Sequence, residues 1–462
     1  MTKALFIPHA NIQYSQLPPE KREWVIRQSY ERLFDLIAAN PAYKVGFEAS
    51  GATLQIMDAQ CPDVVAKLRK LIQAGQVEAI GSPYTHIMLG NIDPEIGLYS
   101  LKRGREAWKT IVGVEPKLGW NPECSWASFL PEIFKEAGYE ALVMDGDSFM
   151  LSFEAIRLET GLRFDVRGHS NKNQLFKIEK AIAEKPELLK FFTNVSVANN
   201  GLKLLMRSDS MANPMLWYLM GATEGHREVP VDLSEIRGIF NKWKSHITQS
   251  GSFILPYAED AEYIGTSAYF YVKQFGQARF FEPEPESVTR FKELLDTALS
   301  EGFELCTPSE ILNATASPVE NPYIENVERG IAWHGGTSLA WANTDYARIM
   351  DPVCRLIHEG IKTLKHVTEG SDPEVTSLLA SAFSALESSY VSDSRWPPKP
   401  TSPGRFNVNE SLVDLANANE FLSKAMQAAG IQEKRSLYSP ELMRSQIESI
   451  REELMEKPYF GE

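Results

Sequence analysis

The chain has 462 residues, 43% of them hydrophobic and 23% charged, the composition of a folded globular protein long enough for two domains. Its 61 acidic against 47 basic residues leave a net charge of -14, a surface that repels phosphate backbones and argues against a nucleic-acid partner. No run of 18 apolar residues offers a membrane span, and Met1 to Asn11 reads as a strand instead of a secretory signal.

The first two-thirds alternates short apolar strands with amphipathic helical stretches. The spacing predicts strands over Ala4–Pro8, Tyr43–Phe47, Val77–Ile80, Lys117–Trp120, Ala141–Met144, Lys203–Met206 and Phe253–Pro256. Between them it predicts helices over Pro19–Asn40, Asp63–Gly75, Pro94–Val112 and Ser125–Gly138, with Asp63 and Ser125 as N-caps and Gly75 and Gly138 as stops. Strand-then-helix repetition implies a parallel sheet, and its even rhythm favours a closed or nearly closed barrel. An eighth run, Phe303–Cys306, closes or caps that ring. The stretch Ser148–Asn200 exceeds what a crossover needs and is read as an excursion with one lysine-rich helix, Gln174–Phe192. The Pro-rich block from Arg395 to Gly404 punctuates the second region. Beyond about Val327 the strands vanish, and Asp345–Val367, Pro373–Val391, Leu412–Ala429 and Pro440–Lys457 read as a helical bundle. The expected domains are residues 1–315 for the barrel and 327–462 for the bundle. Cys61, Cys124, Cys306 and Cys354 have no paired spacing, so neither a disulfide framework nor a zinc knuckle is expected, and a reducing, cytoplasmic setting is the default.

The chemistry lies at the C-terminal strand ends, where the loops of a parallel α/β barrel converge. They deliver His9 and Asn11, Glu48, Tyr84 and His86, Asn121 and Glu123, Asp145 and Asp147, Arg207 and Asp209, then Glu259, Asp260 and Glu262. Carboxylates dominate. Gly-x-Ser-x-Gly and phosphate-cradling glycine loops are absent, against esterase, kinase and nucleotide chemistry. No histidine is placed to activate Cys124. Two carboxylates from different strands suit glycoside hydrolysis, one attacking the anomeric carbon or positioning water, the other protonating the leaving oxygen. Tyr84, Trp120 and Trp126 near the same face suit stacking on sugar rings, although each is individually more often packing.

Trp120-Asn121-Pro122-Glu123 resembles the Trp-x-Pro-Glu motif of glycoside hydrolase family 57, whose glutamate is the nucleophile of a retaining mechanism. Gly81-Ser82-Pro83-Tyr84-Thr85-His86 is similar to the family's second motif. Glu259-Asp260-Ala261-Glu262-Tyr263-Ile264-Gly265 is similar to its fourth, which places the acid/base on Asp260. His9-Ala10-Asn11 matches the first motif in part. The resemblance spans roughly the first 310 residues and implies an incomplete (β/α)7 TIM-like barrel with a helical C-terminal domain. It also implies action on α-linked glucan, an oligo- or polysaccharide, without metal or cofactor. The segment Trp333-His334-Gly335-Gly336-Thr337 departs from the family's tryptophan-rich fifth motif, so catalysis is better supported than starch specificity.

On this reading Asp260 needs a raised pKa, supplied by low solvent access and by Glu259, Glu262 and Glu123. Glu262 orients Asp260 or binds a sugar hydroxyl. His9 and His86 donate to sugar hydroxyls, Asp145 binds a hydroxyl or holds His86, and Arg207 with Asp209 forms a fork pair at the pocket floor. Asn11, Glu48, Trp120 and Trp126 complete the expected binding set, while His334 and Trp341 are assigned to the helical region, outside the pocket by default. Two alternatives stay open. A metal-dependent sugar enzyme, of the deacetylase or family 38 mannosidase kind, wants a ligand set that His9, Asn11 and Glu123 fit poorly. A non-catalytic carbohydrate-binding homologue would keep the shape without turnover.

Overall fold

The computed structural model describes residues 2–14, 17–166, 171–221, 229–247, 252–272, 277–315, 318–324, 327, 330–368, 372–395, 406–431 and 438–456. Trp396 to Gly404, most of the Pro-rich block, lies outside them. Among the described residues no helix is long and apolar enough to cross a membrane.

Eight strands enter one sheet in the first 260 residues. They are β1 (Thr2–Ala10), β2 (Val45–Ala49), β3 (Val77–Gly81), β4 (Leu118–Gly119), β5 (Ala141–Asp145), β6 (Ser196–Val197), β7 (Lys203–Arg207) and β8 (Phe253–Asp260). Every residue of β2 and β5 is buried, the mark of parallel strands covered on both faces, and it explains their unbroken apolar runs. β1 is central. It holds β8 along one edge and β2 on the other through His9 and Ala10, while the strand Phe303–Leu305 pairs with Thr2–Ala4 on that same second edge. From β2 the order continues β3, β4, β5, β7, β6 and then Val319–Glu320. Only the β6–β7 ladder is antiparallel in this curled sheet. β7 and β8 run beside each other with no ladder between them among the described residues.

The predicted strands all fall within this sheet, with ends shifted by up to two residues except for β8, which runs on from Pro256 to Asp260. Local helix detail differs more. The Pro19–Asn40 stretch is segmented, with an α-helical turn at Arg22–Val25, a π-helical turn at Ile26–Glu31 and an α-helix at Arg32–Ala38. The Asp63 cap is corrected: the helix is Pro62–Gln73, so Asp63 sits in its first turn. Ser125 caps nothing either. The helix starts at Leu130, and Ser125 Oγ instead accepts from Asn121 Nδ2 (2.9 Å) and from Gly90 N (3.2 Å), the latter a bond across the fold that local spacing cannot show. The expected Gln174–Phe192 helix is two, Phe176–Ile182 and Pro186–Thr193, because Pro186 cannot continue the first. Gly75 (φ 70°) and Gly138 (φ 94°) are the left-handed stops expected.

The described chain forms two compact units. The first comprises Met1–Ile12, Pro19–Tyr84 and Met88–Leu339, and the second Gln13–Pro18, Thr85–Ile87 and Ala340–Glu462. Strands do not vanish at Val327. Ile331–Ala332 pairs antiparallel with Gly336–Thr337, a short hairpin of the first unit that carries Trp333 and His334. The second unit is built on helices Asp345–Thr368, Pro373–Ser388, Phe406–Ala428 and Pro440–Glu456.

Candidate active site

Register sets the first group. His9 on β1 is the direct partner of Glu48 on β2 and of Asp260 on β8, and in-register neighbours of a parallel sheet project to the same face. His9 Nδ1 lies 2.8 Å from Glu48 Oε2 and its Nε2 2.8 Å from Asp260 Oδ1. Each ring nitrogen thus faces a carboxylate oxygen, an arrangement that suits an imidazolium donating through both. Burial opposes this charge, but the bonds to Asp260 and Glu48 outweigh burial and hold its pKa well above the usual 6.5.

The second group closes the seam between β7 and β8. Arg207, fully buried at the end of β7, pairs with its register partner Asp145 at 3.0 Å, with Asp209 at 2.8 Å and with Glu259 of β8 at 2.5 Å. An ion pair thus joins two strands where no ladder does. Burial, then Asp209, pushes the Asp145 carboxyl up to about 7, and burial pushes Glu259 up to about 7 against the pull of Arg207. For Asp209 burial is overcome by Arg207 and His334, which hold it well below the carboxylate range. His334 Nδ1 stands 2.9 Å from Asp209 Oδ2. Burial lowers the His334 pKa to about 4, so it is neutral and Nδ1 carries the proton.

Glu123 follows β4 on a turn with φ 58° and ψ 15°, and Cys124 after it has φ 44°. Left-handed backbone costs a non-glycine residue about 1–2 kcal/mol, so the turn persists only because other bonds hold it. Trp333 N donates to Glu123 O (2.8 Å), and Cys124 N to Asn121 O (2.8 Å). The hairpin around Trp333 is itself tied to Trp126, whose N donates to Ile331 O (2.8 Å). A column of rings joins the groups. Trp120 stacks on His9 at 5.2 Å, the Trp333 ring stands edge-on to His9 at 6.4 Å, and the Arg207 guanidinium lies 5.3 Å from the Trp333 centroid. The Asp260 side chain is 18% exposed and Glu123 only 4%, so solvent reaches the Asp260 side of the group more readily. Burial drives the Cys124 thiol well above its usual range, which disfavours a thiolate nucleophile.

Glu262 is buried, and its Oε1 accepts from Asn11 N at 2.8 Å and from Tyr30 Oη. The part of Asn11 in that bond is backbone. His86 belongs to the second unit, its Nδ1 2.9 Å from Ser392 Oγ, and Asp145 pairs with Arg207. Trp126 lines a pocket with Glu132, Asn199 and Ile324. Trp341 belongs to the second unit, whereas His334, assigned above to the helical region, belongs to the first. Tyr30 and Trp333 join the site although the sequence reading gave neither a role there, and Glu259, expected only as an acidic neighbour of Asp260, pairs with Arg207. Glu259 adjoins Asp260 and was legible as a strand-end acid; Tyr30 had no local signal. The Trp-His-Gly-Gly run, unlike the long helices after it, was the trace left by the hairpin.

Buried and half-buried carboxylates thus converge with a histidine and an arginine at the strand ends of a curled parallel sheet in an α/β protein. The chain belongs to glycosyl hydrolase family 57, whose model matches residues 2–325. It is similar to an alpha-amylase of Pyrococcus horikoshii, 27% identical over 132 residues, which is 28% of this chain and 21% of that protein. A 4-alpha-glucanotransferase of Thermococcus litoralis is 28% identical over 131 residues, 28% of this chain and 20% of that protein. The chain thus spans about a fifth of the curated relatives it matches. In fold it is similar to a branching enzyme of this family from Thermococcus kodakaraensis, with TM-score 0.64, 12% identity, and coverage of 100% of this chain and 97% of that one. The alpha-amylase AmyC of Thermotoga maritima gives TM-score 0.62 at 12% identity, covering 97% of each chain.

Proposed function

We propose that this protein is a retaining glycoside hydrolase or transglycosidase acting on α-linked glucan or a related α-glycoside. The observation that carries the reading is the convergence of strand-end groups around His9, with Asp260 hydrogen-bonded to it and the Glu123 turn held by the backbone N–H of Trp333, whose ring adjoins His9. Family membership and relatives that act on α-glucans by name support the same substrate class.

In the first step a Glu123 carboxylate oxygen bonds to the anomeric carbon as the glycosidic C–O bond breaks, and the proton of Asp260 passes to the departing oxygen. In the second, Asp260 takes a proton from water, or from a sugar hydroxyl in transfer, and that oxygen displaces Glu123 with the original configuration restored. Asp260 must hold a proton when substrate arrives. The sequence places its acidic neighbours alongside, whereas the fold adds His9, which Asp260 shares with Glu48. Sugar hydroxyls entering between these groups would compete for His9 and favour the acid form of Asp260. Trp120 and Trp333 supply apolar ring surface beside the pair.

We read the curled sheet as an incomplete (β/α)7 barrel, with the helices from Asp345 onward as a helical bundle domain. The four cysteines are buried thiols, which suits a cytoplasmic setting. The test is Glu123→Gln. Turnover of maltooligosaccharides should fall at least a thousandfold, in keeping with loss of a covalent nucleophile, while binding measured by calorimetry persists. Unaltered turnover removes the assignment, and products longer than the substrate identify transfer.

A further inference from the structure

We propose that Tyr30, on the π-helical turn Ile26–Glu31, is a positioning residue that fixes the loop bearing Asp260 through Glu262; the inference rests on reading Asp260 as the acid/base. π-Turns inside helices are rare and recur at functional sites, because the extra residue re-aims the side chains that follow. Here successive residues of the turn meet one loop. Ser29 Oγ donates to Ala261 O at 2.7 Å, and Tyr30 Oη donates to Glu262 Oε1. The chain at Gln28 comes so near Gly265 that a Cβ there would lie 1.9 Å from Gln28 O, and Gly265 itself has φ 103°. An ordinary side chain at 265 would push the loop off the helix.

The opposite side of the loop is held as firmly. Asn11 N donates to the same Glu262 oxygen at 2.8 Å, Thr266 Oγ1 donates to Glu262 O at 2.5 Å, Gly265 N donates to Ser287 Oγ at 2.7 Å, and Tyr257 Oη donates to Asp260 O at 2.8 Å. Tyr30 and Glu262 are both wholly buried. Only Ala261 separates Glu262 from Asp260, so any slack at Glu262 swings the Asp260 carboxyl from its place against His9. The ionisable groups facing this pair are His9 from β1, Glu48 from β2, Tyr30 from the helix, and Tyr257 and Glu259 from β8. Burial, then Asp260, pushes Glu262 up to about 8. A neutral Glu262 keeps the Tyr30 bond without setting a second negative charge beside Asp260.

Loss of a positioned acid should penalise only substrates that need protonation of the leaving group. Two probes separate this from a general structural role: maltopentaose, which needs the acid, and α-maltosyl fluoride, whose leaving group needs little. Asp260→Ala sets the scale, with a loss of about 100-fold or more on maltopentaose and far less on the fluoride. Tyr30→Phe, which removes one oxygen, should lower kcat on maltopentaose about tenfold with KM unchanged, and on the fluoride less than about twofold, a fraction of a full general-acid effect. The alkaline limb of its pH–rate profile, set by loss of the Asp260 proton, should move as well. Equal losses on both probes overturn the positioning role. If Asp260→Ala itself shows no asymmetry, or the unaltered protein turns over neither probe, the acid/base reading falls and the inference with it. Should Tyr30→Phe not fold, Ser29→Ala severs the neighbouring bond to Ala261 and is held to the same asymmetry.

Discussion

Buried beside β8 with its carboxyl pushed up to about 8, Glu262 keeps its proton where an exposed glutamate has lost it. The raised value makes stability depend on pH with a definite sign. Between about 4.5, its ordinary value, and about 8 the folded chain binds a proton that the unfolded chain releases, so this residue's contribution to stability falls as pH rises through that window. Glu262→Gln stays neutral and retains an acceptor for Tyr30 and Asn11. Urea unfolding from pH 4.5 to 8 should therefore show a flatter pH dependence in the variant than in the unaltered protein. Parallel curves would mean that Glu262 is ionised in the fold. Burial acts the same way around Arg207 despite its charge. One guanidinium faces three carboxylates, and two of them, Asp145 and Glu259, sit near 7 because burial and mutual repulsion outweigh their share of its charge.

Among the elements, the helix Pro94–Ala107 shows how tightly the parallel sheet is covered. It opens with Asp93 as N-cap, accepting from Glu95 N, and Pro94 in its first turn, a start written in the sequence. Its fit against the β3 loop is not written there. A Cβ on Gly104 would lie 2.0 Å from Ser82 O and 3.0 Å from Pro83 C, both backbone atoms that cannot rotate away. Alanine gains about 1 kcal/mol of helix propensity over glycine, but overpacking a close contact costs about 1–3 kcal/mol, and backbone contact puts this site at the upper end. Gly104→Ala is thus expected to lower stability by about 1–2 kcal/mol net in chemical denaturation; a more stable variant would show that the helix can shift. The π-turn at Ile26–Glu31 is the same lesson at another helix, since amphipathic spacing announces a helix there and says nothing of the extra residue that aims Tyr30.

For the molecule as a whole, Asp145, Asp147 and Asp209 bring carboxylate oxygens within 4.8 Å of one another, a spacing that suits a cation. Arg207 already supplies positive charge to two of them, and Asp147 Oδ2 accepts from Asp209 N at 2.6 Å. Protein dialysed against EDTA should keep its activity and its Tm; stoichiometric metal by mass spectrometry, with activity lost on chelation, would contradict that assignment of charge. Much of this architecture was legible in the residues. Apolar runs doubly covered by helices gave the parallel sheet, because burial on both faces demands hydrocarbon at every position, and the polar groups at the strand ends follow from where those runs stop. The linear order of Glu123 and Asp260 in their motifs was likewise present in the chain. What only the folded molecule decided is which of those strand ends become neighbours. Register across β2, β1 and β8 put His9 between Glu48 and Asp260, the unladdered seam set Arg207 against Glu259, and contacts over hundreds of residues tied Tyr30 to Glu262 and Trp333 to Glu123. Local sequence fixes backbone propensity and hydrophobic pattern within a few turns, whereas side-chain hydrogen bonds and charge states depend on partners far along the chain. For the same reason His86, adjacent in sequence to a strand end of the first unit, bonds to Ser392 in the second.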